Sequence, residues 1–239
     1  MLKLPFMKNL LLCWWLCATG LIYAQDIPTQ ELPPTPVPDS LYREDQFYMS
    51  FTYNLLGSLP DGHRQNKFSA GLTAGFLRDM PINKERTISI AAGLGYGMQN
   101  YNHNLVVEET PLGLQYRLLG RDIFYEKNKL SLHYAELPIE FRWRNSTAES
   151  HKFWRVYTGV KLSYLFYSRS KFVGDEVKFI VQDNPDLARW RVGVYMAAGY
   201  NTWNFYAYYG LNPIFSDAVL DGEPVDLRTI SLGLMFYIL

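Results

Sequence analysis

The chain has 239 residues, 48% of them hydrophobic and 19% charged, which suits one or at most two folded domains and excludes global disorder. Twenty-three Lys and Arg balance 23 Asp and Glu, so there is no cationic excess to hold a nucleic acid. The 16% aromatic content, with 18 Tyr, 14 Phe and 6 Trp, suits a surface that is apolar at one level and wet at another.

The first 24 residues read as a signal peptide. Lys3 and Lys8 flank Met7, an apolar run over Leu10–Ala18 follows, and Ile22-Tyr23-Ala24 offers an imperfect cleavage site before Gln25. An uncleaved anchor helix is the alternative, and Met7 is an alternative start. Both cysteines, Cys13 and Cys17, lie here, so the remainder needs no disulfide, metal thiolate or catalytic thiol. After this run no stretch of about 18 apolar residues recurs, which excludes a bundle of membrane helices. Residues 25–45 carry Pro28, Pro33, Pro34, Pro36 and Pro38 and read as an extended periplasmic tether, or equally as a disordered N-terminus.

From residue 46 to 239 the period is two. Strands are expected near Gln46–Leu56, Phe68–Leu77, Arg86–Met98, Leu130–Arg144, Phe153–Arg169, Leu187–Tyr200, Trp203–Gly210 and Leu227–Leu239. In the third, Ile88, Ile90, Leu94 and Tyr96 alternate with Ser89, Ala91, Gly93, Gly95 and Gly97. In the sixth, Trp190, Val192, Val194 and Met196 alternate with Arg189, Arg191 and Gly193. Each strand therefore has an apolar face and a face of small, polar or charged residues. Hydropathy leaves open which face points inward: a lipocalin-like barrel buries the apolar face, and a membrane barrel shows it to lipid. Rows of Gly and Ser suit the inside of a narrow barrel and cover a solvated sheet poorly, which selects the membrane reading.

The connections agree. Gly57–Lys67, Gln99–Lys129, Ser170–Asp186 and Leu211–Asp226 are long, and they alternate with the shorter Arg78–Glu85, Asn145–Lys152 and Asn201-Thr202. Long external loops and short periplasmic turns are the pattern of outer-membrane barrels. The predicted fold is all-β, an eight-stranded antiparallel transmembrane up-and-down barrel with a Pro-rich N-terminal tether. In the fourth strand Leu130, Leu132 and Tyr134 oppose the parity of Leu137, Ile139, Phe141 and Trp143. Either a bulge near Ala135, with Pro138 contributing, shifts the phase, or the upper half lies above the bilayer.

Chemistry-bearing patterns are sparse. His63, His103, His133 and His151 have no neighbour at metal-ligand spacing, so no metal or cofactor is expected. His133 beside Ser131 is the one local candidate for a rim enzyme acting on lipid. Gly93-x-Gly95-x-Gly97 has no helix after it and is lumen-facing strand glycine, not a phosphate loop. Inward charges are more informative. Glu136, Glu140, Arg142 and Arg144 are expected to face Arg155 and Lys161, with Arg189 and Arg191 beyond; Glu136 pairs with Lys161 in the simplest register. An eight-stranded barrel has little room for water, so the cluster reads as a structural ion-pair plug, with a conducting or substrate site as the alternative. Tyr101, Tyr116, Phe124 and Tyr125 make Gln99–Lys129 the candidate interaction loop.

The strand Leu132–Arg144, with its aromatic–Glu–Leu–Pro core, resembles outer-membrane β-barrel proteins of Bacteroidota. Phe153–Lys161 and Ser231–Tyr237 resemble the same group, and within it the PorT family. The chain departs from many such barrels in ending on Leu239 where they end on Phe. The resemblance implies an outer-membrane location in a Gram-negative bacterium and, for PorT itself, a part in type IX secretion and gliding. The expected function is a non-enzymatic structural or interaction role, with lipid and other envelope or secretion proteins as partners. A narrow pore for small solutes and a rim enzyme are the rivals.

Overall fold

The computed structural model describes residues 45–58, 62–65, 67–145 and 153–238. The signal segment, the tether, His151 and most of the Asn145–Lys152 connection lie outside the described residues. Among those described, eight long strands form the wall: β1 (Gln46–Gly57), β2 (Ala70–Pro81), β3 (Ile88–Asn102), β4 (Tyr125–Arg144), β5 (Trp154–Gly174), β6 (Trp190–Tyr200), β7 (Trp203–Gly210) and β8 (Arg228–Ile238). Each pairs antiparallel with the next, and β8 returns to β1 with Phe47 opposite Ile238. The result is a closed meander with no free edge along its main wall.

The alternation is realised with the polar face inward. On β6, Arg191, Tyr195 and Ala197 are buried while Trp190, Val192, Val194 and Met196 are exposed. The exposed apolar side chains are not scattered. Leu94, Phe205 and Phe47 are 71%, 79% and 63% exposed in a continuous belt that only lipid can cover. Aromatic pairs close the belt at both ends. Phe47–Phe76, Trp154–Tyr200 and Trp203–Phe236 stand at the end where β1 begins, at 5.2, 5.5 and 4.9 Å between ring centroids. Tyr53–Phe68 and Tyr164–Trp190 stand towards the other end, at 5.0 and 4.9 Å. Such girdles mark the two membrane–water interfaces.

Lumen-facing glycines are required by the closeness of the strands. A Cβ at Gly93 would run into the carbonyl oxygen of Phe76, and one at Gly233 into that of Phe51. Two tight turns also use left-handed residues: Asn201 (φ 56°) between β6 and β7, and Asp221-Gly222 (φ 53° and 89°) in the loop hairpin of Val219-Leu220 with Glu223-Pro224.

Three expectations are corrected. There is no phase change near Ala135 in β4: Leu130, Leu132 and Tyr134 stay buried in line with Glu136 and Glu140. The extra residue sits in β5 instead. His133 is opposite Tyr167 but Tyr134 is opposite Leu165, so Phe166 is the bulge, and beyond it inward facing passes from odd to even positions. Arg169 shares the odd parity of Arg155, Lys161 and Ser163, which predicts an inward side chain, yet past the bulge it lies on the outward-facing row. The aromatic content suited a surface that is apolar at one level and wet at another, yet Tyr48, Tyr101, Tyr134, Tyr157, Tyr195, Tyr206, Tyr208 and Tyr237 are buried. A narrow lumen needs large side chains to fill it, and hydroxyls give its charges partners.

Candidate functional site

The interior is layered along the barrel axis. Near the end where β1 begins, β4 projects Glu140, Arg142 and Arg144 inward, and β2 supplies Asp79. Arg142 donates from Nε to Glu140 Oε2 at 2.7 Å and from Nη1 to Asp79 Oδ1 at 3.2 Å. Arg144 donates from Nη2 to Asp79 Oδ2 at 2.8 Å, and Ser89 Oγ donates to Asp79 Oδ1 at 2.7 Å. Tyr195 and Tyr237 hydroxyls donate to the other Glu140 oxygen at 2.9 and 3.0 Å. The side chains of Asp79, Glu140, Arg142 and Arg144 have no solvent exposure. Two cations thus bracket two carboxylates, which a dry interior demands.

Asp79 was missed because β2 was expected to end at Leu77. Extending the alternation of Gly71, Thr73 and Gly75 by four residues reaches it. Arg155 lies directly opposite Arg144 and makes no described ion pair; its guanidinium stacks 4.5 Å above the Phe153 ring.

One layer up, Lys161 Nζ lies 2.9 Å from Glu136 Oε2 and donates to Tyr206 Oη at 3.2 Å. Lys161 is aligned with Pro138, not Glu136, so the pair reaches diagonally across the ladder. A double-mutant cycle of Glu136→Gln with Lys161→Met should return a coupling of about 0.5–3 kcal/mol in urea unfolding of the folded barrel. Additive single losses would show that the two charges are independently hydrated.

Above this pair Arg191 donates to Thr229 Oγ1 at 3.3 Å, and Tyr101 shares the same hydroxyl at 2.7 Å. Arg189 does not join the cluster. It precedes β6, is exposed, and only its backbone carbonyl serves, accepting from Leu165 N at 2.8 Å. Parity extends only as far as the strand does.

The mouth at the long-loop end is closed by apolar side chains. Leu187, Ile214, Phe215, Ala218, Leu220, Val225 and Leu227 fold in from the loops onto Leu132, Tyr134 and Leu165 of the wall. The interaction-loop residues divide accordingly. Tyr101 belongs to β3 and is fully buried, so it is a lumen residue and not a loop anchor. Tyr116 lies on the hairpin of Leu105–Thr110 with Gly113–Leu118, packs edge-on to Phe215 at 5.6 Å, and donates to Asp186 Oδ2 at 2.8 Å. Burial and the Asp186 carboxylate push the Tyr116 hydroxyl pKa up. Tyr125 is half-buried against Phe172, at 6.1 Å. Phe124 is 83% exposed, and Leu112 at the hairpin tip is 94% exposed.

His63 and His103, 40 residues apart in sequence, stack at 5.4 Å and are both buried. Around them Arg64 N donates to Asn104 Oδ1 at 2.6 Å and Asn104 Nδ2 to Gly62 O at 2.9 Å, clamping one loop to the other. Burial pushes the His63 pKa down to about 4, and burial plus the neighbouring His63 pushes His103 down to about 3. Both values lie below the ordinary 6.5, so the opened clamp binds more protons than the closed one. Its stability is complete above about pH 6.5 and falls as pH drops towards these two values. Amide protection at Asn104, corrected for intrinsic exchange, should decline between pH 6.5 and 4. The same decline in a His63→Phe/His103→Phe variant would assign it to other groups.

No three His, Cys, Asp or Glu side chains among the described residues are grouped to hold a metal. Ser131 Oγ donates to Asn100 Oδ1 at 2.8 Å, while His133 Nδ1 bonds the Tyr96 hydroxyl, so serine and histidine do not form a nucleophile–base pair.

No curated protein sequence matches the chain. Among solved structures it is similar to Ail, the attachment invasion locus protein of Yersinia pestis, at 11% identity and a TM-score of 0.37, covering 82% of this chain and 99% of that one. It also aligns with a mutant of the Rh. blastica porin at 9% identity and a TM-score of 0.22, covering 81% and 99%. The family model described as outer membrane protein beta-barrel domain matches residues 23–216. With most of its length matched and its eight strands closed around a polar interior, the chain belongs to the outer membrane protein beta-barrel domain family and is an outer-membrane protein.

Proposed function

We propose that this barrel is a non-enzymatic interaction protein of the outer membrane that works through its external loops and not as a pore. The observation that carries this reading is the filled lumen. Ion pairs with tyrosines packed among them fill the lumen from the end where β1 begins, and the loop residues Leu187, Ile214, Phe215 and Leu220 stopper the mouth. Recognition then falls to what protrudes, and Leu112 and Phe124 are large apolar side chains held out from the loops. Reconstituted in planar bilayers, the protein should give no stable conductance steps; regular steps would restore the pore reading.

On the same proposal, residues 1–24 are a signal peptide cleaved near Ala24, residues 25–45 are a periplasmic tether, and the partners are lipid and envelope proteins. The resemblance of Leu132–Arg144 to PorT-type strands supports a finer role as an accessory of type IX secretion. Deleting the protein should then reduce type IX cargo in the medium. The wild-type chain should restore it, and a Leu112→Ser/Phe124→Ser variant that still forms the barrel should not. Unchanged export after deletion would separate the protein from type IX secretion. Full restoration by the double variant would move the working surface away from these loops.

A further inference from the structure

β4 and β5 are 20 and 21 residues long, nearly twice the length of β6, and their upper parts rise beyond the belt. From Trp143 at the lower girdle to His133 is ten residues along the strand. At about 3.3 Å per residue and a tilt of about 40°, that is a height of about 25 Å, the depth of the apolar band. His133 there contacts Phe166 and Tyr167 at ring distances of 6.4 and 5.3 Å, in an aromatic group at the outer interface. The four residues beyond His133 carry Lys129 into the headgroup layer.

At that level upper β4, upper β5 and Lys178–Gln182 form a three-stranded ribbon. Its inner face is apolar: Phe172 packs with Val106 and Leu119 of the adjoining loop, and Phe179 and Tyr125 pack against them. The outer face carries five cations in adjacent rows. Lys129 is directly opposite Lys171, Arg169 is opposite Ser131, and Lys127 and Lys178 flank Val173. Like charges directly opposite one another destabilise a ladder. None of the five takes part in a described ion pair, and the acids in or directly beside the three strands, Glu126, Asp175, Glu176 and Asp183, stand at the ribbon's ends. A self-repelling face is retained most simply where an anion sits on it. This one adjoins the lipid-facing belt at headgroup height.

We propose that the outward face of this ribbon, through Lys129, Lys171 and Arg169 with Lys127 and Lys178 beside them, binds the phosphate groups of an outer-leaflet glycolipid. The proposal rests on the long-loop end facing outward, and it is independent of any secretion partner. The lysines act as point charges and Arg169 as a planar fork, while Phe166 and Tyr167 below lie against the acyl chains and sugar edge.

The test uses the full barrel in phosphatidylcholine nanodiscs, with added lipid A or the same lipid dephosphorylated, and retention read by native mass spectrometry. Phosphorylated lipid A should be held about tenfold more tightly, on the scale of one to two cations at a charged lipid surface. Lys129→Gln/Lys171→Gln should erase that preference and Lys129→Arg/Lys171→Arg should keep it, with the heat-dependent gel shift reporting a folded barrel in each. If the first pair does not fold, Arg169→Gln/Lys178→Gln should weaken the preference. Equal retention of the two lipids overturns the proposal, as does a preference that survives the glutamine variants. Displacement of lipid A by inorganic phosphate at equal concentration would likewise overturn it, since it would make the face a simple ion site.

Discussion

Arg142→Met should destabilise the barrel by about 3–5 kcal/mol, the loss expected when one member of a buried charge network is removed and its partners stay ionised. The guanidinium bridges Glu140 and Asp79 and sits 4.8 Å from the Tyr157 ring centroid, with no solvent exposure on any of the three charged side chains. Asp79 keeps Arg144 and Ser89 after the change. Glu140 keeps only the Tyr195 and Tyr237 hydroxyls among its described partners, so its charge is left without a cation. The loss should appear as a lowered urea midpoint in lipid vesicles. Adding Glu140→Gln should recover part of it, because a neutral amide at that site no longer needs a cation. A double variant as unstable as the sum of the singles would mean that Arg142 acts by filling space.

The second large effect separates the two faces of β6. Val194→Arg should cost about 2–4 kcal/mol if the side chain meets the bilayer midplane. Val194 is aligned with Val160 on β5 and Tyr209 on β7, well inside the belt, and its own side chain points outward. Gly193→Arg should fail for another reason: even a Cβ there runs into the Tyr208 ring inside the lumen. The two variants are therefore distinguished by solvent. In detergent micelles that adapt around a lone cation, Val194→Arg should recover more folded barrel than Gly193→Arg. Equal behaviour in both solvents, with wild-type stability for Val194→Arg, would invert the assignment of faces.

The barrel was legible because its signal is local and repeated. A strand shows alternate residues to opposite faces, so Ile88, Ile90 and Leu94 against Ser89, Gly93 and Gly95 read directly as two surfaces. Chain closure needs no further information once eight such segments alternate with long and short connections. Inward placement of Glu136, Glu140, Arg142, Arg155, Lys161 and Arg191 followed from the same parity. Parity failed at strand ends. Asp79 lay two residues past an assumed terminus, and Arg189 preceded the first β6 residue.

What the sequence determined by itself is thus the class of wall: its period, its lipid-facing rows, and which side of it bears charge. Tertiary structure alone decided the rest, because it depends on distances between residues far apart in the chain. The bulge expected near Ala135 falls on the facing strand, at Phe166 across from His133 and Tyr134, since only the β4–β5 register shows which strand holds the extra residue. His63 meets His103, and Tyr116 reaches Asp186, through loop closures that no spacing encodes. The lumen is sealed because Leu187, Ile214 and Val225, ordinary loop apolars in sequence, fold over the mouth. Alternation is a property of one strand's backbone, whereas plugging a barrel depends on which side chains from different strands and loops share a limited volume.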